Sequence, residues 1–197
     1  KKSALSKFVI NFRVGIIVMN IIISVVLFLL LFIHSSYSLY IKSPAYLAGK
    51  VNFSGASFGN PYIRGKCIEA ELVLATPANG CTPLKLSNTE KESYFEEKPK
   101  EKYKNKIVFT LRGDCPFTIK AKHVEEMGGL GMVVWNINDN LYQTMSDDGN
   151  GRMVRIPSVL INKDSGSTLF SHLSQTPSIP VKVLFGLCLG GHYKYNH

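Results

Sequence analysis

Four cysteines, at positions 67, 81, 115 and 188, are the residues of this chain best suited to covalent chemistry. Cys115 stands just ahead of a run with helical spacing. A helix N-terminus lowers a thiol pKa through its dipole and its unpaired N–H groups. His123 comes eight residues later and suggests a nucleophile with its base. Eight helical residues span about 12 Å, however, and base activation needs roughly 3 Å. Nothing in the surroundings of His172, His192 or His197 marks them for catalysis. Asp147-Asp148-Gly149-Asn150-Gly151 offers the oxygen donors and turning glycine that calcium takes. It lacks the EF-hand spacing and terminal Glu, and reads as a plain loop with no metal. Gly128-Gly129-Leu130-Gly131 is rich in glycine but ends a helix and leads into a strand. A phosphate cradle needs the opposite order, with the loop opening a helix. The chain is read as lacking a G-x-S-x-G elbow, H-E-x-x-H, a Walker loop, C-x-x-C and zinc-ligand spacing. The expectation is no catalytic residue and no cofactor.

The elements around these residues are better defined. Ile107–Leu111 is a short apolar run of β-formers, broken by Arg112-Gly113-Asp114. Pro116 suits the first position of a helix, where its missing N–H costs nothing. Phe117, Ala121, Val124 and Gly128 recur at helical spacing, with Met127 beside them. Lys120, Lys122, Glu125 and Glu126 take the other side, and Lys122 can pair with Glu126. Gly128 and Gly129 stop the helix, and Met132–Trp135 returns as a buried strand. Strand, helix and parallel strand make a right-handed crossover. Flanking strands are expected at Ile68–Leu74, Ile156–Ile161 and Ile179–Phe185. A helix over Ser165–Leu173, capped by Asn162 or Asp164, would turn Leu169, Phe170 and Leu173 inward. Lys85–Lys106, mostly Lys, Glu, Asn, Ser and Tyr, reads as an exposed loop. Gly186–His197 has no clear structure. Arg112 reads as an ion-pair residue at the strand end, with Asp114 as its partner or as a capping group.

The run Arg112–Asn136 resembles the protease-associated (PA) domain, whose pattern is a strand ending in R-G-x-C-x-F-x-x-K, a helix, a Gly/Ala turn and a strand ending in Asn. The matching positions are Arg112, Gly113, Cys115, Phe117, Lys120, Gly128, Gly129 and Asn136. Leu72–Leu84 is similar to the family's A-x-P-x-x-x-C-x-P-L segment, and Met153–Ile161 to its late I-P-(S/A)-V-x-I strand. Ala56–Pro61 is similar to its A-x-F-G segment. The likeness runs from about Val51 to Phe185. It implies an α+β fold: a small mixed β-sandwich or open β-barrel with a βαβ unit and two or more flanking helices. Four cysteines allow three pairings. The resemblance implies Cys81–Cys115, and with it Cys67–Cys188.

The start of the chain has another character. Lys1, Lys2, Lys7 and Arg13 precede Val14–Ile33, 20 residues with Asn20 and Ser24 as the clearly polar members. As a helix this run spans about 30 Å, the thickness of a bilayer's hydrocarbon. It reads either as a signal peptide, cut after Ser38 to start the chain at Leu39, or as an uncleaved anchor. Both readings place the chain beyond Ser38 in a lumen or outside the cell. The domains are then residues 1–38 as leader, 39–187 as PA domain and 188–197 as tail. Membrane contact is expected only through Val14–Ile33, if it is kept. The net charge of +9 falls to +5 without the four leader cations. That excess is too modest to point to nucleic acid. Asn52-Phe53-Ser54 is an N-glycosylation sequon.

By resemblance the chain is a non-catalytic module of the secretory pathway that recognises a protein or peptide. The compartment would be the endoplasmic reticulum, Golgi, endosome, vacuole or cell exterior. The loops Lys85–Lys106 and Asp139–Arg152 are the candidate surfaces. The alternatives are the N-terminal regulatory portion of a larger protease or membrane RING ubiquitin ligase, and a membrane-anchored structural subunit.

Overall fold

The computed structural model describes residues 19–25, 35–59, 67–85, 99–138 and 143–189. Residues 37–188 form one compact unit; residues 1–36 and 189–197 form another. In the latter, residues 19–25 are helical (α1), with Met19, Ile21, Ile22, Ile23 and Val25 exposed. Among the described residues no helix is long and apolar enough to cross a membrane. The rest of the Val14–Ile33 run lies outside them.

The larger unit is built on eight strands: β1 (Ser35–Ser43), β2 (Gly49–Val51), β3 (Phe53–Gly55), β4 (Cys67–Leu74), β5 (Ile107–Leu111), β6 (Gly131–Trp135), β7 (Ser158–Ile161) and β8 (Val181–Leu189). Their order in the sheet is β2-β1-β8-β4-β5-β6-β7-β3. The strands at the two ends of that order, β2 and β3, are separated in the chain by Asn52 alone, so the sheet curls into a nearly closed barrel. The strands from β4 to β7 are parallel, and β8 and β3 flank them antiparallel. The helices are α2 (Pro99–Tyr103), α3 (Phe117–Glu126) and α4 (Lys163–Gln175).

The strands β5, β6 and β7 are apolar but for Thr110 and Ser158, because both their faces are covered. Ile107, Phe109, Val133, Val159 and Ile161 face one core, shared with Leu39, Leu72, Val183 and Phe185. Val108, Met132, Val134 and Leu160 face a second, closed by Ala121 and Val124 of α3. At the end of α3, Gly128 has φ +77°, a conformation that glycine adopts without a Cβ penalty. Asn162 caps α4 by accepting from Ser165 N at 3.1 Å. Trp135 Nε1 donates to Lys163 O at 2.9 Å. Gly166 lies so close under this indole that a Cβ would run into the ring.

Three expectations are corrected. Lys85–Lys106 is not all exposed loop: it contains α2, and Tyr103 is fully buried. The Tyr103 hydroxyl donates to Lys85 O at 2.7 Å and accepts from Thr76 N at 3.1 Å. This ring and its bonded hydroxyl anchor a segment whose composition is otherwise polar. Gly186–Leu189 is not irregular but continues β8, with Gly186 opposite Cys67. Lys120 does not join the solvent side of α3 but is buried, because loop carbonyls take up its ammonium.

Candidate functional site

The residues of the R-G-x-C-x-F-x-x-K run form a latch between α3 and the 76–81 loop. Cys81 and Cys115 are joined by a disulfide, with their Cα atoms 5.8 Å apart. Lys120 is buried. Its Nζ donates to Asn79 O at 2.5 Å and Gly113 O at 2.7 Å, and lies 3.3 Å from Cys81 Sγ. Burial pushes the Lys120 pKa down to about 8, against the opposing field of Asp114. His123 Nδ1 lies 2.9 Å from Gly80 O, so it ties the same loop one turn further on. Cys115 is thus a bridging residue, and His123 serves the loop backbone instead.

The other motif positions complete this corner. Gly113, at φ +109°, frees its carbonyl to face Lys120. Phe117 is half-buried against the second core. A Cβ on Gly129 would come within 2.5 Å of Val124 Cγ1. Arg112 does not pair with Asp114. Its guanidinium donates to Asn136 Oδ1 and Gln143 Oε1, both at 3.0 Å. Asp114 accepts from Asn79 Nδ2 at 2.8 Å. Asn136 is buried, and its N–H donates to Ile161 O. Lys122 and Glu126 pair at 3.9 Å. Cys67 is disulfide-bonded. Cys188 lies on β8, with its side chain outside the described ones. Asn52 is exposed where the two edge strands meet.

The acidic loop is occupied by its own backbone. Asp147 Oδ1 accepts from Gly149 N and Gly151 N at 2.8 and 2.7 Å. Asp148 Oδ1 accepts from Thr118 Oγ1 at 2.6 Å, and that hydroxyl holds the Asp148 carboxyl below its usual pKa. Among the described residues no three His, Cys, Asp or Glu side chains converge as metal ligands. One motif does occur contrary to expectation: Gly55-Ala56-Ser57-Phe58-Gly59 has the G-x-S-x-G spacing. It is not a nucleophile elbow, because Ser57, Phe58 and Gly59 form a bend where an elbow would turn into a helix. The Ser57 hydroxyl donates to Met145 O at 3.2 Å and accepts from Asp147 N at 2.9 Å.

The open feature lies elsewhere. A groove of about 480 Å³ runs between the second half of β4, the start of β8 and the end of α4. Leu72, Leu74, Leu173 and Ile179 give it apolar walls, and Glu71, Lys102 and Lys106 a charged rim. Lys106 Nζ bonds Glu71 Oε2 at 2.8 Å, and Lys102 Nζ donates to Thr76 Oγ1 at 2.9 Å. The candidate stretch Lys85–Lys106 supplies Lys102 and Lys106 to this groove; its apolar walls were missed, because they come from two other stretches, 71–76 and 173–181.

The family model of the PA domain matches residues 68–169, just over half of the chain. The chain belongs to the PA-domain family. Signal peptide peptidase-like 5 of Oryza sativa subsp. japonica is 33% identical over 132 residues, which are 65% of this chain and 21% of that protein. Vacuolar-sorting receptor 7 of Arabidopsis thaliana is 28% identical over 160 residues, 77% of this chain and 24% of the receptor. The chain thus spans about a fifth to a quarter of these curated relatives. A zinc aminopeptidase from Bacillus subtilis shares the fold at a TM-score of 0.50 and 22% identity, over 76% of this chain and 29% of that one. In this PA domain the R-G-x-C-x-F-x-x-K motif builds the latch, and the groove meets the latch's loop at Thr76.

Proposed function

We propose that this PA domain is a non-catalytic recognition module of the secretory pathway that binds a protein or peptide in the groove rimmed by Lys102 and Lys106. The observation that carries the reading is the groove itself, apolar along its walls and charged at its rim. That is the composition of a site for an extended peptide with apolar side chains and an acidic one. The likeness to a vacuolar-sorting receptor supports a role in recognition. The test is selection of displayed peptides on the purified full chain, followed by mass analysis of the bound peptides. Enriched peptides that share an apolar-plus-acidic pattern and stay intact support the reading. Failure to enrich, or peptide cleavage, contradicts it.

A second reading rests on the match to signal peptide peptidase-like 5, of which the chain covers 21%. Here the module is the lumenal portion of a larger membrane protease. Reading-frame sequence beyond His197 that encodes multiple spans and catalytic aspartates decides for it.

The leader, the glycan at Asn52 and the Cys67–Cys188 bridge complete the proposal. The β1–β2 pairs include Leu39↔Val51 and Ile41↔Gly49, so a cut after Ser38 leaves them in place. Asn52 is exposed, as a glycan acceptor must be. Intact mass and N-terminal sequencing of the secreted or lumenal protein, with and without glycosidase, test all three. A start at Leu39, a glycan-sized mass loss and no free thiol are expected. A start before Val14 makes the segment an anchor.

A further inference from the structure

The latch holds chemistry that a peptide-binding role does not use. An ammonium has three N–H donors, and those of Lys120 face Asn79 O, Gly113 O and Cys81 Sγ. None of these acceptors is an anion. A buried cation among neutral acceptors is costly, and an anion in contact offsets that cost. Of the contact atoms, only the sulfur can become one. While bridged to Cys115 it is a weak acceptor; as a thiolate it would pair with Lys120 at the distance already present. Asp114, on the adjoining turn, favours the charged form of Lys120. His123, on the same helix, faces Gly80 O. Both cysteines are half-buried, and Thr82, Pro83, Gly113, Asp114 and Pro116 around them are exposed. A small thiol therefore has a path to the bridge.

We propose that the Cys81–Cys115 bridge is a thiol–disulfide exchange site, at which an external thiol attacks Cys115 Sγ and Cys81 leaves as a thiolate held by the Lys120 ammonium. A thiol that leaves as a more stable anion leaves faster, and exchange proceeds through a mixed disulfide. The attacking thiolate's electron pair forms the new S–S bond to Cys115. The Cys81–Cys115 bond breaks with its pair on Cys81. A second external thiol then attacks the mixed disulfide, and the two small thiols depart as one disulfide. Two electrons enter the protein in all. Of the two protons given up by the external thiols, one ends on Cys115 and one goes to water, while Cys81 stays ionised. Reduction also releases α3 from the 76–81 loop at one of its three ties. The exchange site stands independently of the groove.

The test uses the full chain and glutathione. Brief reaction with reduced glutathione, an acid quench and peptide mass analysis locate the mixed disulfide. Iodoacetamide pulses on the reduced, folded chain between pH 5 and 9 then give the titration of each thiol. The expected result is glutathione on Cys115, and Cys81 alkylation that titrates at least one unit below the ordinary thiol value of about 8.5. Lys120→Met should return Cys81 to that value. It should also shift the equilibrium with glutathione at least tenfold towards the disulfide. Glutathione found on Cys81, or Cys81 titrating as an ordinary thiol in the unmutated chain, overturns the proposal. These two readings decide it even where Lys120→Met fails to fold.

Discussion

The latch and the groove lie on the same barrel and are built by opposite rules. At the latch the polar groups point inward and find each other. Lys120 bonds two carbonyls, Arg112 bonds two amide oxygens, and a disulfide closes the corner. At the groove apolar walls stay open beneath a rim of side chains that are only half-buried. The family motif therefore marks the part of the domain that holds it together. On the proposed reading, recognition falls to a groove that shares only its β4 wall and Thr76 with the motif-bearing segments.

The contrast can be broken at several points. The largest effect should come from Cys81→Ala with Cys115→Ala. The bridge spans 34 residues, and on the chain-entropy model its loss costs about 4 kcal/mol. Urea unfolding should show that loss with peptide binding retained while the domain stays folded. Gly166→Ala should come next. Overpacking of the Trp135 ring costs about 1–3 kcal/mol, and the indole fluorescence should report the displacement. Lys120→Met leaves Asn79 O and Gly113 O without their donor, at a cost of about 2 kcal/mol near neutral pH.

That variant also carries a pH signature. The folded Lys120 pKa is lowered to about 8 from 10.5. Across that window the unfolded chain holds a proton that the folded chain has released. This group's contribution to stability therefore rises as pH rises from about 8 to 10.5, and is flat below it. The stability difference between Lys120→Met and the unmutated chain should widen over that window. A constant difference would mean that Lys120 titrates normally.

How much of this was legible in the sequence depends on the range of the contacts involved. The strand, helix and strand from Ile107 to Trp135 were readable because their apolar spacing is local and Pro116, Gly128 and Gly129 punctuate it. The α4 cap at Asn162 was readable for the same reason. The burial of Lys120 was not, because its acceptors include Asn79, 41 residues away. Helical spacing alone put that lysine in water. The burial of Tyr103 was hidden likewise, since Lys85 and Thr76 satisfy its hydroxyl. The short strands β2 and β3 carry too few residues to show a period. They are held by register with β1 and β7.

The smallest effect on stability should accompany the largest effect on binding. Lys102→Glu alters a half-exposed rim residue, and changes at such positions usually stay within about 0.5 kcal/mol. The decisive measurement is the affinity of a selected peptide for the full chain with and without Lys102→Glu, by calorimetry at two salt concentrations, beside a thermal melt of each protein. A loss of at least tenfold in affinity with an unchanged melt is the predicted result. Equal affinity for the two proteins would place recognition away from the groove and contradict the account.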